Sequence, residues 1–103
     1  MAGLLIVQSY PSSPGDTATY HSWYDEVHLP EILTVDGFVS ARRLSAIEGG
    51  SFVAVYEIDG DVGDAKANLA AAMASGSMSR PSGVRTDPPP TVQWWSDLGV
   101  THP

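Results

Sequence analysis

YHSWYDEVHLPEILTVDGFVSARRL, residues 20–44, holds in order a helix, the point where that helix is interrupted, a turn and a strand. Tyr20, Trp23, Tyr24 and Val27 recur at helical spacing and define one arc, while His21, Asp25 and His28 define the next. Pro30 has no N–H to give the preceding turn, so the spacing predicts a helix that kinks or ends near His28. A short second turn through residues 31–33 then leads to the Asp36-Gly37 turn, and a strand follows over residues 38–47.

Working outward, residues 4–10 are rich in large apolar and β-branched side chains and are closed by Pro11-Ser12-Ser13-Pro14, which reads as a strand. Ser13 before Pro14, with Asp16 just beyond, marks the start of the first helix. Glu48-Gly49-Gly50-Ser51 has the composition of a hairpin loop, and residues 52–58 form a third strand. An alanine-rich helix spans residues 61–74 and stops at Gly76. Residues 75–90 are rich in Ser, Gly and Pro without a clear period, which reads as a long loop or lid. A last strand covers residues 91–96. The order strand–helix–strand–strand–helix–strand is the ferredoxin-like α+β arrangement, a four-stranded antiparallel sheet in a single domain over residues 1–103. LLIV in the first strand and FVAV in the third are apolar toward both faces, yet helices cover only one face. A ligand or a second copy of the chain must cover the other, and a twofold homodimer is expected.

The 103 residues carry five basic and twelve acidic side chains, a formal net charge of −7. That balance argues against nucleic acid or anionic membrane as partner, and Arg42-Arg43 is too short to form a basic patch. With no cysteine, disulfides, iron–sulfur clusters and thiolate chemistry are excluded. The start MAGLLIVQSYP has neither the basic region nor the apolar length of a signal peptide or membrane span, so a cytoplasmic location is expected. Glycine-rich nucleotide motifs, HExxH and G-x-S-x-G are all absent.

Trp23, Tyr24, His28, Pro30, Gly37, Phe38 and Arg42 together resemble the helix, kink and second-strand signature of the dimeric α/β-barrel superfamily, in particular its EthD-like branch. Asp36 departs from that pattern, standing where a proline is often found. The resemblance implies a dimer in which each protomer's pocket lies between its sheet and its helices. It leaves the reaction open among cyclases and dehydratases, isomerases, cofactor-free quinol monooxygenases and haem enzymes.

His28 is the expected general acid or base, since an imidazole exchanges protons near neutral pH. Its simpler alternative is to cap the helix end. Tyr24 and Tyr20 have hydroxyls able to polarise a substrate oxygen, with Tyr24 grouped with the catalytic residues and Tyr20 with those that bind substrate. Glu57 shares a strand face with Val53 and Val55; a carboxylate among inward valines would be desolvated and reactive near neutral pH. Glu31 is a weaker candidate for orienting His28. Arg42 is expected to hold an anionic group of a substrate. Trp23 is expected in the core or the pocket wall, and the adjacent Trp94 and Trp95 must point to opposite faces, one of them into the pocket. His21, Asp25 and His28 could share a metal, but such a trio is more often a solvated helix face, and no metal site is expected. His21 is expected in solvent beside Asp25, and His102 stands next to the C-terminal residue. The expected function is cofactor-free proton-transfer chemistry, a cyclisation, dehydration or isomerisation, on a hydrophobic aromatic or polyketide-like metabolite. The alternatives are cofactor-free oxygenation of a phenol or quinol, and non-catalytic binding of a small molecule.

Overall fold

The computed structural model describes residues 2–100. Strands β1 (Gly3–Ser9), β2 (Phe38–Ser45), β3 (Phe52–Ile58) and β4 (Thr91–Ser96) form one antiparallel sheet in the order β2-β3-β1-β4. Between β1 and β2 the chain runs through α1 (Thr17–Ser22), a π-helical turn (Trp23–His28) and α2 (Leu29–Ile32). The second crossover is α3 (Val62–Ala74), capped by Asp61, whose carboxylate accepts the Asp64 N–H at 2.9 Å. This is the ferredoxin-like α+β fold expected from the element order. His102 lies outside the described residues.

The sheet has two unequal faces. Leu5, Ala54, Tyr56, Ile58 and Phe38 point to the helices and join Tyr20, Trp23, Tyr24, Ile32, Ala65 and Leu69 in one buried core. Leu4, Ile6, Val53 and Val55 project from the other face and are only partly buried, while Leu44 and Trp95 there are 45% and 50% exposed. An apolar stripe thus crosses the outer face of all four strands, in keeping with the two-sided patterning of LLIV and FVAV.

A β-bulge decides which arginine faces the helices. Phe38 pairs with Ile58, yet the next register partner of Glu57 is Ser40, so Val39 is an extra residue and stands 57% exposed. One inserted residue reverses the facing of everything after it. Strict alternation from the buried Phe38 would turn Arg42 inward; with the bulge, Ala41 and Arg43 face the helices and Arg42 faces away, opposite Val55.

Helix continuity also differs from the sequence expectation. The segment neither ends nor breaks at His28: it widens, and the Leu29 N–H bonds to the Tyr24 carbonyl five residues back. A π turn just before Pro30 accommodates the proline ring and its missing donor without stopping the helix.

Residues 75–90 lie down as a strap. The Ser12 N–H donates to the Gly83 carbonyl at 2.7 Å and the Arg85 N–H to the Tyr10 carbonyl at 2.9 Å, while Val84 bridges to Pro11. Farther along, the Glu31 carboxylate accepts from the Ser79 N–H at 3.1 Å and from its hydroxyl at 2.9 Å. Gly83, at φ +74°, rests on the helix so closely that a Cβ would stand 2.9 Å from the Tyr20 nitrogen. Gly83→Ala therefore meets both an unfavourable backbone angle and a collision. It should cost about 1–3 kcal/mol locally and speed amide exchange at Ser12 and Arg85 about tenfold or more, leaving β1 and β3 protected. Unchanged exchange at both amides would remove this account of the strap.

Candidate functional site

The π turn sets the site. In a π turn, residues five apart lie one above the other, so Trp23 and His28 stack with ring centroids 4.4 Å apart and an interplanar angle of 18°. Tyr24 meets both edge-on, at 4.9 Å from Trp23 and 5.5 Å from His28. His28 thereby joins the aromatic arc instead of the polar arc that α-helical spacing assigns to it. Tyr56 of β3 faces it across 6.5 Å.

These four rings line a cavity of about 170 Å³ between the sheet and the helices. Leu5 and Val7 of β1, Leu69 of α3, and Pro81, Val84 and Pro90 of the strap supply apolar walls and roof. The surroundings leave four buried polar atoms without a hydrogen-bond partner: Trp23 Nε1, His28 Nδ1, Tyr56 OH and Arg43 Nη2. Three of the four belong to side chains of the cavity wall. Buried polar atoms are nearly always paired, so such a group around one cavity points to a ligand with polar substituents on an apolar body.

Behind the wall lies a polar cluster. The Ser9 hydroxyl is 2.6 Å from the Tyr20 hydroxyl and 3.0 Å from that of Tyr24. Arg43, its side chain 13% exposed, pairs with Asp25 at 3.1 Å. Its guanidinium carbon sits 4.8 Å from the Tyr24 ring centre and 5.3 Å from that of Tyr20, within cation–π range. Burial pushes the Tyr24 hydroxyl pKa up, and it pushes that of Tyr56 up further. Burial lowers His28 to about 4, with the Glu31 carboxylate opposing part of the shift. At neutral pH the wall therefore presents a neutral imidazole and neutral phenols, with one cation behind them.

Of the residues singled out from sequence, the fold brings His28, Tyr24 and Trp23 to the cavity. Tyr20 is buried behind them on Ser9. Glu57 is on the outer face with Val53 and Val55, because the third strand turns Ala54, Tyr56 and Ile58 to the helices; the valine face is the outward one. Arg42 is displaced to that same face by the Val39 bulge. Trp94 does face inward but packs beside Phe38, with the Lys66 ammonium 5.9 Å from its ring centre, away from the cavity walls. Trp95, half-exposed on the outer face, does not reach the cavity either. Glu31 anchors the strap. His21 packs edge-on against Phe52 at 4.7 Å instead of pairing with Asp25, whose partner is Arg43. The trio His21, Asp25, His28 is therefore dispersed, and no group of metal-ligating side chains gathers among the described residues. Sequence reasoning missed Tyr56, Arg43 and Ser9. For Tyr56 a signal existed, since it alternates with the small Ala54 and with Ile58.

The fold and site together define a ferredoxin-like α+β protein with a roofed aromatic cavity. Among solved structures, the fold is similar to the crystal structure of a monooxygenase from the gene ActVA-Orf6 of Streptomyces coelicolor in complex with the ligand nanaomycin D. The TM-score is 0.61 and the identity 19%, over 99% of this chain and 93% of that one. No family model matches the chain, and none of the curated proteins does. Among the described residues no helix is long and apolar enough to cross a membrane.

The buried neutral imidazole links stability to pH. An unfolded His28 titrates near 6.5 and the folded one near 4, so below pH 6.5 the unfolded chain takes up the proton first. Its contribution is whole above about 6.5 and is lost as pH falls toward 4, up to about 3 kcal/mol. Urea midpoints measured across that window should fall more steeply for the wild type than for His28→Phe. Parallel curves would refute the desolvated histidine.

Proposed function

We propose that the chain is a homodimeric, cofactor-independent oxygenase of electron-rich phenols or hydroquinones, in the dimeric α/β-barrel superfamily. The observation that carries this reading is the apolar cavity whose wall holds the unpartnered polar atoms of His28, Tyr56 and Trp23. An aromatic ring with hydroxyl substituents fits such a wall: the ring meets the aliphatic side chains and its oxygens reach the orphaned atoms. The likeness to a monooxygenase fold favours oxygenation over cyclisation, dehydration or isomerisation, and the EthD-like signature at Trp23, Tyr24 and His28 falls on the cavity wall.

In this mechanism neutral His28 takes the substrate's hydroxyl proton as the phenolate forms. The imidazolium that forms is the counter-ion of the phenolate, and this ion pair gains strength from the low polarity of the walls. The phenolate gives one electron to dioxygen, the resulting radicals combine at a ring carbon, and the peroxide takes the proton held by His28 to become a hydroperoxide. His28, neutral again, accepts the ring C–H proton as the O–O bond cleaves. One oxygen atom stays as a carbonyl; the other leaves as hydroxide and takes that second proton from His28, giving water. The substrate supplies both electron pairs, so the sum is phenol plus dioxygen to quinone plus water. Tyr56 and Trp23 donate hydrogen bonds to the substrate oxygens, and the strap keeps bulk water from the radical pair. Tyr24 buttresses His28 edge-on and is itself held by Ser9.

Oxygen uptake should match quinone formation one to one. His28→Ala, folded by circular dichroism, should lose about 10²–10⁴-fold in kcat. The acid limb of kcat/KM should fall near pH 4, where burial sets His28, and not at 6.5. Full uptake by the alanine variant would end this assignment.

The partly buried Leu4, Ile6, Val53 and Val55 and the exposed Leu44 and Trp95 support a second copy as the cover of the outer face. Sedimentation should then find dimers, and Val55→Asp should shift them to monomers. A wild-type monomer at high concentration would sink the dimer.

A further inference from the structure

The size and charge of the cavity narrow the substrate class, an inference that rests on the aromatic-ligand reading above and deepens it. An apolar cavity of about 150 Å³ holds one benzene ring, and here the volume is about 170 Å³. The remaining room fits hydroxyl or methyl substituents and no second fused ring.

The cavity has little means of growing. Its inner wall is the core itself, with Leu5, Tyr56 and Ile32 at 2%, 1% and 1% exposure. Its roof is fastened on both sides of the cavity: by Ser79 to Glu31 at one end, and by Gly83, Val84 and Arg85 to residues 10–12 at the other. Gly83 also sits against the Tyr20 backbone with no space to slide inward. A larger ligand would have to undo several of these bonds at once.

Charge narrows the choice further. No lining residue is an Asp, Glu, Lys or Arg. The nearest cation, Arg43, is not part of the wall; Asp25 holds its Nη1 and the rings of Tyr20 and Tyr24 cover its face. A carboxylate on the ligand would lose its water and gain no counter-ion. The polar groups on offer are neutral and lie on two sides, Trp23 and His28 on the π turn and Tyr56 on the sheet, which suits hydroxyls at separate positions of one ring.

We propose that the cavity selects uncharged single-ring phenols, hydroquinones foremost, against fused-ring and carboxylated analogues, and that Val84 in the roof sets the size limit. The test is anaerobic binding, which separates recognition from turnover. Isothermal titration would be run with hydroquinone, phenol, 1,4-dihydroxynaphthalene and 4-hydroxybenzoate. Hydroquinone should bind at least about tenfold more tightly than either of the last two, the ratio that a small steric or polar mismatch produces. Val84→Ala should improve dihydroxynaphthalene binding severalfold relative to that of hydroquinone. Equal or tighter binding of the fused-ring or carboxylated probe, no binding of either single-ring phenol, or unaltered selectivity in Val84→Ala would each overturn the proposal. Selective binding of hydroquinone without oxygen uptake in air would instead defeat the oxygenase reading and leave the size and charge rule in place.

Discussion

The backbone hydrogen bond from Leu29 N–H to the Tyr24 carbonyl is the contact on which the site depends. It spans five residues where an α-helix spans four, and it places Trp23 beneath His28. With α-helical spacing the imidazole would rotate toward the side of His21 and Asp25, away from the cavity. Pro30 supplies the cause: it removes the donor that would have kept the regular ladder, and the helix answers by widening one turn upstream. A residue that sits outside the cavity thus determines which side chain enters it.

The sheet contributes a second register effect of the same kind. Val39 adds one residue to β2, and every side chain beyond it changes face. Arg43 is turned beneath Tyr20 and Tyr24, and Arg42 is turned outward. Both effects are single-residue insertions into a periodic element, one in a helix and one in a strand. Each moves a titratable group toward the aromatic cluster. The rigid framework around them, with Ile58 and Tyr56 almost fully buried, converts those small shifts of phase into fixed positions.

This explains what the sequence could and could not convey. Element order, the hairpin at residues 48–51, the third and fourth strands and the alanine-rich helix follow from local composition, and they appear where composition puts them. The aromatic arc of the first helix also survives, because three of its members point the same way in any right-handed helix. Glu57 and Arg42 were misplaced for a different reason. In β3 both alternating sets are apolar, Val53 and Val55 against Ala54, Tyr56 and Ile58, so periodicity has no polar side by which to tell inside from outside. In β2 the phase is broken by a bulge at a valine, a residue with no turn or bulge signature. Trp94 and Trp95 were correctly split between faces, but facing inward is not the same as facing the cavity, and the space beside Phe38 takes Trp94 first. Ser9 ends a strand and its two tyrosines stand on the helix that follows, 11 and 15 residues on, and no local pattern announces their meeting.

The hydroxyls of Ser9, Tyr20 and Tyr24 have one more property. Three O–H groups share two short contacts, and each contact consumes one proton, so one proton is always left over. It resides on Tyr20 when the chain of donation runs from Tyr24 through Ser9 to Tyr20, on Tyr24 when the direction reverses, and on Ser9 when both phenols donate to it. Passing between these arrangements needs only rotation about C–O bonds, with every heavy atom at rest. The cluster is therefore a set of rotors with one movable spare donor, and the Tyr24 hydroxyl can alternate between donor and acceptor while the packing around it stays still.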